Sequence, residues 1–185
     1  MAGIFAFAET RDGELRKVAH EVVTAARKVA DALGTEVHAV VLGAPGVGAA
    51  ASEVARYGAD KVFVGESGAF DKYSPEGFTT VIVNFIKEHG CDAAIFPPSA
   101  MGRDLAPRVA ARLGVDYAST VTAVDAAGGQ LTVTRPRYAG KVFSTLTLAD
   151  RPAVFSVGPN AFTPAENPRA GEVQNLSVDL GGADF

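Results

Sequence analysis

The segment from Ser99 to Gly114 contains the residue types that best suit an anion-binding loop. It follows the apolar run Ala93–Phe96, which is typical of a buried strand, and it opens with a serine, a glycine and an arginine. Backbone N–H groups at a helix N-terminus, together with a hydroxyl and a guanidinium group, could hold a phosphate. Ser99, Gly102 and Arg103 are therefore candidate cofactor-binding residues.

A structural role for the same segment is the alternative that the sequence favours. Asp104 is predicted as the N-cap of the next helix, with Pro107 in its first turn and Gly114 at its end. The Asp104 carboxylate would then place negative charge where a phosphate would lie. In this interpretation Gly102 permits a tight turn, and Arg103 forms an ion pair within the chain or between subunits.

Two further loops lie where a phosphate site could form, and both are predicted to be plain turns. Gly43 and Gly48 are separated by four residues, like the two glycines of a phosphate-binding loop. Ala49 and Ala50, however, stand where such a loop requires Lys and Ser/Thr. The loop after the first strand, residues 9–13, has no glycine-rich run and carries two acidic side chains. Neither loop predicts anion binding.

A basic stretch near the C-terminal third of the chain is the best interface candidate. Arg135, Arg137 and Lys141 surround Tyr138, with a turn predicted at Ala139-Gly140. Arginine and tyrosine are enriched in protein–protein interfaces. We predict these four residues as interface residues, with a solvated surface as the alternative.

Residues that carry catalysis in other proteins form no recognisable group here. The three histidines, His20, His38 and His89, are not at metal-ligand spacing, and Cys91 has no base beside it in the sequence. The chain has no Trp and no second Cys. We therefore predict no metal site and no enzyme in this chain, so any redox function needs a borrowed cofactor.

Composition limits the classes of partner and compartment. The chain has 185 residues, a net charge of -4, 48% hydrophobic and 21% charged residues, which predicts one domain with at most a small appendage. The net negative charge argues against nucleic acid as a partner. A single cysteine excludes a disulfide framework and predicts a cytoplasmic protein. Since no apolar run approaches about 18 residues, neither membrane insertion nor a signal peptide is expected.

Strands and helices alternate through the first two-thirds of the chain. This alternation predicts an α/β fold, with a Rossmann-like, mainly parallel sheet and helices on both faces. The predicted strands are 3–8, 37–42, 61–64 and 92–96, and the predicted helices are 15–33, 49–57, 74–86 and 104–113. Short Thr- and Val-rich runs at 121–124, 131–134, 142–148 and 154–157 predict β-hairpins added to the sheet or extending beyond it.

Several segments, in the same order along the chain, carry a family resemblance. They are Ala8-Glu9, Tyr57-Gly-Ala-Asp-Lys-Val62, Gly102-Arg-Asp-Leu-Ala-Pro107, Thr134-Arg-Pro-Arg-Tyr-Ala-Gly-Lys141, Arg151-Pro-Ala-Val154 and Pro159-Asn-Ala-Phe162. Together they resemble the N-terminal domain of the large (alpha) subunit of the electron transfer flavoproteins. The resemblance implies an adenine nucleotide alpha hydrolase-like domain over residues 1–160. It further implies an exit strand and linker over residues 161–185, leading toward an FAD-binding domain that is absent from this chain.

The resemblance also implies a function as a component of a larger complex. In that family, electrons pass from a dehydrogenase flavin to FAD and onward to a quinone reductase. This chain would be a scaffold that packs on the beta subunit. FAD would be bound in the complete protein rather than by this chain alone. AMP would be bound by the beta subunit. A free-standing adenine-nucleotide-binding module of the universal-stress type is the alternative, weakened by the absent glycine-rich loop. An interaction module that has kept the fold and lost both the FAD and the nucleotide ligand is a third possibility.

Overall fold

Seven parallel strands form the central sheet of the protein, which the computed structural model describes over residues 3–181. They are β1 (Gly3–Phe7), β4 (Glu36–Gly43), β5 (Lys61–Glu66), β6 (Ala93–Phe96), β7 (Tyr117–Val121), β11 (Ala153–Val157) and β12 (Glu172–Asn175). Their order across the sheet is β12-β5-β4-β1-β6-β11-β7. A small hairpin of β2 (Thr10–Arg11) and β3 (Glu14–Leu15) follows β1.

Helices cover both faces of this sheet, which confirms the predicted α/β fold. The helices are α1 (Lys17–Leu33), α2 (Ala51–Ala55), α3 (Pro75–His89) and α4 (Ala100–Leu113). Alternate residues of β1 pack against opposite layers: Ile4 and Ala6 lie with α1 and α2, whereas Phe5 and Phe7 lie with α3 and α4. Because both faces of β1 are covered, all five of its residues are buried and its sequence lacks polar alternation.

The predicted start of α4 is wrong. Ser99, not Asp104, is the N-cap: its Oγ accepts a hydrogen bond from the Gly102 N–H at 2.9 Å, and the helix begins at Ala100. Asp104 lies a turn inside the helix, so Pro107 is inside it as well rather than in its first turn. Ser and Asp are both good N-cap residues. The first turn of α4 has only one large apolar side chain, Met101, so its hydrophobic periodicity starts late.

The Asp104 carboxylate instead links α4 to the loop before α3. It accepts hydrogen bonds from the Tyr73 hydroxyl at 2.8 Å and from Nε of Arg108 at 3.0 Å. These two bonds lower the pKa of Asp104. Its negative charge is therefore satisfied within the chain.

The second helix is shorter than the predicted 49–57. Residues Val47–Ala50 form a 3₁₀ turn, and the α-helical part covers only Ala51–Ala55. A run of small residues at 48–51 matches the helical period without supplying the large side chains that a longer amphipathic helix would bury.

One of the four runs predicted as hairpin strands, 154–157, belongs to the parallel sheet as β11, and the run 121–124 is divided between the end of β7 and β8. β11 pairs with both β6 and β7, and all of its residues are buried, as is typical of a central strand. The added antiparallel sheet is made by β8 (Ala123–Asp125), β9 (Leu131–Arg137) and β10 (Val142–Leu148), in the order β10-β9-β8.

The C-terminal segment crosses the helix layer and returns to the far edge of the central sheet. The Asn167 N–H donates to the Arg56 carbonyl at 2.9 Å, and the Arg169 N–H donates to the Ala55 carbonyl at 3.2 Å. The segment predicted as an exit strand and linker contains one strand, β12, which pairs parallel with β5. Three apolar residues of this segment, Leu176, Val178 and Leu180, then pack against the core beneath α3 and α4.

Candidate functional site

A cavity of about 580 Å³ lies at the carboxyl ends of β1 and β4. The strand order reverses at β1, which has β4 on one side and β6 on the other, and open α/β sheets bind ligands at such points. Its walls come from the loops after β1 and β4, the segment before α3 and the start of α4. Apolar residues supply much of the lining: Leu42, Val47, Phe70, Phe78 and Met101.

A buried carboxylate occupies the polar end of this cavity. Glu9 is 2% exposed, and its Oε1 accepts a hydrogen bond from Nη1 of Arg16 at 2.6 Å. Its Oε2 accepts the hydroxyl proton of Ser99. The N-cap residue of α4 is therefore bonded to a carboxylate, which disfavours a phosphate at the same place because two buried like charges repel.

The three candidate cofactor-binding residues are brought to the start of α4, where the structure shows packing roles for them. Ser99 caps the helix, as described above. A Cβ on Gly102 would lie 2.1 Å from the Pro97 carbonyl oxygen, so this glycine permits a close approach within the helix rather than the predicted tight turn. The Arg103 side chain is exposed, and its Nε donates to the Ser99 carbonyl at 3.4 Å. Within residues 3–181, no carboxylate forms an ion pair with Arg103.

The glycine loop after β4 is also satisfied from within the chain. The N–H groups of Gly46 and Gly48 donate to one Glu66 carboxylate oxygen at 3.1 and 2.9 Å. Val47 and Ala49, between and beside them, donate to carbonyls of the same turn. The loop agrees with the predicted plain turn, and a carboxylate takes the place that a phosphate would need.

These surroundings do not fit the pyrophosphate of FAD or another dinucleotide. The amides that could cradle it are bonded to Glu66, and the helix start that could face it is bonded to Glu9 through Ser99. Both interactions place carboxylates where negative charge would have to enter. The residues described here are thus better suited to holding the sheet together than to holding a flavin.

The four predicted interface residues lie at the β9–β10 hairpin, but they do not all face solvent. Nη2 of Arg135 donates to Ser119 Oγ at 2.7 Å, and burial together with the nearby Arg137 lowers the pKa of Arg135. Arg137 and Lys141 are exposed, and Tyr138 is 80% exposed. The structure therefore groups Arg137, Tyr138 and Lys141 at the tip, with Arg135 directed inward.

Two exposed apolar residues at this tip were not predicted. Val142 and Phe143 are 50% and 63% exposed. Their adjacency was the available signal, because neighbouring residues in a strand point to opposite faces and both cannot be buried by one core. We call the five exposed residues Arg137, Tyr138, Lys141, Val142 and Phe143 the hairpin tip.

The backbone of the hairpin tip is strained. Tyr138 and Ala139 have φ values of 50° and 55°, in the left-handed region that favours glycine, and Gly140 follows at 85°. An exposed tyrosine in this conformation costs stability without gaining burial. Residues held in such conformations cluster at functional sites.

A second strained residue, Thr120, lies where β7 and β11 lose their regular pairing. Its φ is 60°, which is rare for a β-branched residue, and its N–H donates to Ser156 Oγ at 3.3 Å. The buried Ser156 also bonds the Tyr117 hydroxyl at 2.8 Å. Burial raises the pKa of Tyr117, so the phenol stays neutral.

The histidines make separate structural contacts. His20 stacks on Tyr57 with ring centroids 3.9 Å apart and pairs with Glu53, whereas His38 is buried between β4 and α3. Within residues 3–181, no group of three or more His, Cys, Asp or Glu side chains could hold a metal ion. None of the helices in that range is long and apolar enough to cross a membrane.

Comparison with known proteins identifies the family. The family model described as "Electron transfer flavoprotein domain" matches residues 4–180. The chain is 36% identical to electron transfer flavoprotein subunit alpha of Syntrophomonas wolfei, over 100% of this chain and 56% of the relative. It is 34% identical to the Bacillus subtilis protein of the same name, over 96% of this chain and 54% of the relative. It is 33% identical to protein FixB of Clostridium saccharobutylicum, over 99% of this chain and 55% of the relative.

The chain spans about half the length of these curated relatives. It therefore belongs to the electron transfer flavoprotein family and corresponds to the N-terminal part of the alpha-type subunits.

Proposed function

We propose that this chain is the scaffold and subunit-interface domain of an alpha-type electron transfer flavoprotein subunit. In the complete protein, FAD carries electrons from dehydrogenases to a quinone reductase, and this domain packs against the beta subunit. A cytoplasmic location accords with the single cysteine, Cys91, which is buried and unpaired.

The exposed hairpin tip is the observation that carries this proposal. Two aromatic rings, one valine and two cations extend into solvent at the end of the three-stranded antiparallel sheet. Tyr and Arg are the residue types that most often dominate binding energy when a partner buries them. We therefore assign Arg137, Tyr138 and Lys141 to the beta-subunit interface, and Arg135 to positioning their strand from beneath.

The cavity after β1 supports a scaffold role rather than a flavin role. Its polar end is closed by the Glu9–Arg16 pair, and the adjacent glycine loop is bonded to Glu66. In this proposal the FAD contacts come from the remainder of the complete alpha subunit, and residues 161–185 connect the domain to it.

The test is binding of the purified chain to a beta-type subunit, followed by isothermal titration calorimetry. Tyr138→Gly should weaken binding about tenfold or more, as expected for loss of a central aromatic residue. The same change removes the left-handed strain, so the free energy of unfolding should stay equal or rise by about 0.5–1 kcal/mol. A fold defect would move both quantities in the unfavourable direction, so the pair of readouts identifies a binding role.

Val173→Asp is the matched control. Val173 is 54% exposed on β12, at the opposite edge of the central sheet from β7. Its replacement should leave the dissociation constant unchanged. Equal affinity of the Tyr138→Gly variant and the unsubstituted chain would contradict the assignment of this surface.

A further inference from the structure

Arg135 is a partly buried cation for which the described part of the chain supplies no anion. Its Nη2 donates to Ser119 Oγ at 2.7 Å, whereas its Nε is buried without a hydrogen-bond partner. Within residues 3–181, no carboxylate forms an ion pair with this side chain. Burial lowers the pKa of the guanidinium group, and the neighbouring Arg137 lowers it further. A partly desolvated charge is costly unless an opposite charge pairs with it.

A second cation without an ion pair comes from α4. Arg103 is exposed, and among the described residues its one hydrogen bond runs from Nε to the Ser99 carbonyl at 3.4 Å. Both arginines lie near the Tyr117 hydroxyl: burial raises the pKa of this phenol, and both guanidinium groups oppose the rise. No carboxylate of residues 3–181 contributes to the pKa shift of Tyr117 or Arg135. Positive charge therefore accumulates here, although the chain has a net charge of -4.

The hydroxyl groups beside Arg135 have protons to donate. Ser119 Oγ accepts a hydrogen bond from Arg135, so its own proton is free. Ser156 is 2% exposed and its Oγ accepts the Thr120 N–H, so we assign its proton to the bond with the Tyr117 oxygen, 2.8 Å away. The Tyr117 O–H is then free to donate in its turn.

Backbone strain lies at the same place. The regular pairing of β7 and β11 is interrupted between Phe155 and Val157, and Thr120 has a φ of 60°. Strained residues of this kind cluster at ligand sites. The strained segment lies toward the carboxyl ends of β7 and β11, the side of the sheet on which open α/β proteins bind ligands. Because β6 separates β11 from β1, this place is distinct from the cavity after β1.

The chemistry of these groups selects an oxyanion. They offer N–H and O–H donors together with two positive charges, and a guanidinium group binds a carboxylate or a phosphate through two parallel hydrogen bonds. A metal ion or an amine would be repelled by the two arginines. The cavity after β1 has the opposite character, because the buried Glu9 carboxylate occupies its polar end.

We propose that Arg135 and Arg103, with the hydroxyl groups of Ser119 and Tyr117, form a binding site for an oxyanion, a carboxylate or a phosphate group. The group can belong to a free small molecule or to an acidic side chain of another subunit, and titration distinguishes these two sources. The site consists of residues of this chain alone, so the inference stands or falls separately from the proposed function.

Nuclear magnetic resonance titration of the whole chain tests the site directly. Sodium phosphate and sodium acetate are added in separate experiments at constant ionic strength, with sodium chloride as the balance. The signals of the Arg135 and Arg103 Nε–H groups and of the Thr120 amide should shift and saturate with at least one of the two anions. The anion that binds more tightly identifies the group that the site accepts.

Substitution of each arginine measures its part in binding. Arg135→Gln should weaken binding of the anion about tenfold or more, because it removes charge-assisted hydrogen bonds. Arg103→Gln should weaken binding by a smaller factor, since water and salt screen an exposed charge. Arg112→Gln is the matched control: it removes the same charge from the last turn of α4 and should leave the affinity unchanged.

The stability of Arg135→Gln distinguishes an anion site from a structural role. In chloride the variant should be as stable as the unsubstituted chain or more stable, because an unpaired and partly buried charge is removed. A structural arginine would show a loss of stability instead. Urea unfolding in chloride and in phosphate measures both properties, and phosphate should stabilise the unsubstituted chain more than the variant, since only a bound anion adds to stability in this way.

Addition of a beta-type subunit identifies the source of the anion. If an acidic side chain of that subunit fills the site, the Arg135 signal shifts when the complex forms and phosphate causes no further change. If the ligand is a free anion, phosphate still shifts this signal in the complex. Both results support the site and differ in what occupies it.

Three results would overturn the proposal. They are no saturable shift with either anion, equal affinity of Arg135→Gln and the unsubstituted chain, and an equal loss of affinity in Arg112→Gln. A chain that binds an anion at this site but no beta subunit would contradict the proposed function and leave the site in place. A chain that binds the beta subunit but neither anion would do the reverse.

Discussion

Gly102 lies where the first turn of α4 passes over the Pro97 carbonyl. A Cβ at this position would lie 2.1 Å from that oxygen, and a backbone atom cannot move aside as a flexible side chain can. We expect Gly102→Ala to lower the free energy of unfolding by about 1–3 kcal/mol, the usual cost of overpacking. Urea unfolding followed by circular dichroism measures it.

Gly68→Ala is the control for Gly102→Ala. A Cβ on Gly68 would meet nothing within 4 Å, and its φ is outside the left-handed region. Its stability should stay equal or rise slightly, because alanine restricts the unfolded chain. If the two variants unfolded at the same urea concentration, Gly102 would not be required for the close approach.

Single residues were the hardest features to predict from the sequence. Ser99 and Asp104 are equally good N-cap types, and their different roles depend on tertiary contacts, since Ser99 bonds the buried Glu9 and Asp104 bonds Tyr73. The roles of Glu9 and Glu66 depend on partners that are remote in sequence, since Glu9 bonds Ser99 and Glu66 bonds Gly46. Local patterns contain no information about such contacts.

At the scale of elements, His38 connects the central strands to the helix layer. It is 3% exposed on β4, its Nε2 contacts Glu36 at 3.3 Å, and its Nδ1 is buried without a partner. Lys61 and His89 face the same ring. Burial, and then these two neighbours, lower the pKa of His38 against the opposing effect of Glu36.

This lowered pKa predicts a loss of stability at mildly acidic pH. Below the ordinary histidine pKa of about 6.5 the unfolded chain binds a proton that folded His38 resists, so the free energy of unfolding falls as pH falls. One such group contributes at most about 1.4 kcal/mol per pH unit. Urea unfolding between pH 7.5 and 5.5 should show the slope, and His38→Leu should reduce it.

His20 provides a comparison for this experiment. Burial also lowers its pKa, but the Glu53 carboxylate opposes the shift. His20→Gln should therefore remove a separate part of the slope. An unchanged slope in His38→Leu would show that protonation of this ring is not coupled to folding.

Elements were predicted well where one strong pattern covers them. Ser74-Pro75 marks the start of α3, and Gly34, Gly90 and Gly114 end three helices in the left-handed conformation. β11 differs from the hairpin strand predicted at 154–157 because its short, apolar sequence resembles those of the hairpin strands. Only its burial on both faces, a tertiary property, distinguishes it.

The resemblance segment Tyr57–Val62 also has a physical explanation at this scale. Asp60 accepts hydrogen bonds from Nη1 of Arg27 at 2.6 Å and from the Val37 N–H at 2.8 Å. Arg27 is 7% exposed and also donates to the Thr35 carbonyl at 3.0 Å. This cluster fixes α1 against the starts of β4 and β5.

For the whole molecule, we predict that the folded domain extends beyond residue 160, and truncation of the chain tests this. Leu176, Val178 and Leu180 pack against the core, and β12 covers the edge of β5. We expect a chain ended at Asn160 to lose several kcal/mol of stability, since burial of one aliphatic side chain contributes about 1.5–3 kcal/mol. The unfolding temperatures of the truncated chain and the full chain measure this loss.

Ending the chain at Gly181 is the control, because it retains every contact described above. It should unfold at the same temperature as the full chain. If the chain ended at Asn160 were equally stable, residues 161–181 would not contribute to the stability of the domain.

The pairing of β12 with β5 also determines when the sheet can be completed during synthesis. β5 is made early, yet its outer partner is the last of the sheet strands to leave the ribosome. Until then the edge of β5 presents unpaired backbone groups along the apolar residues between Lys61 and Glu66, and such an edge can pair with other chains. The interval between the synthesis of the two strands is therefore a period in which the open sheet edge is exposed to aggregation.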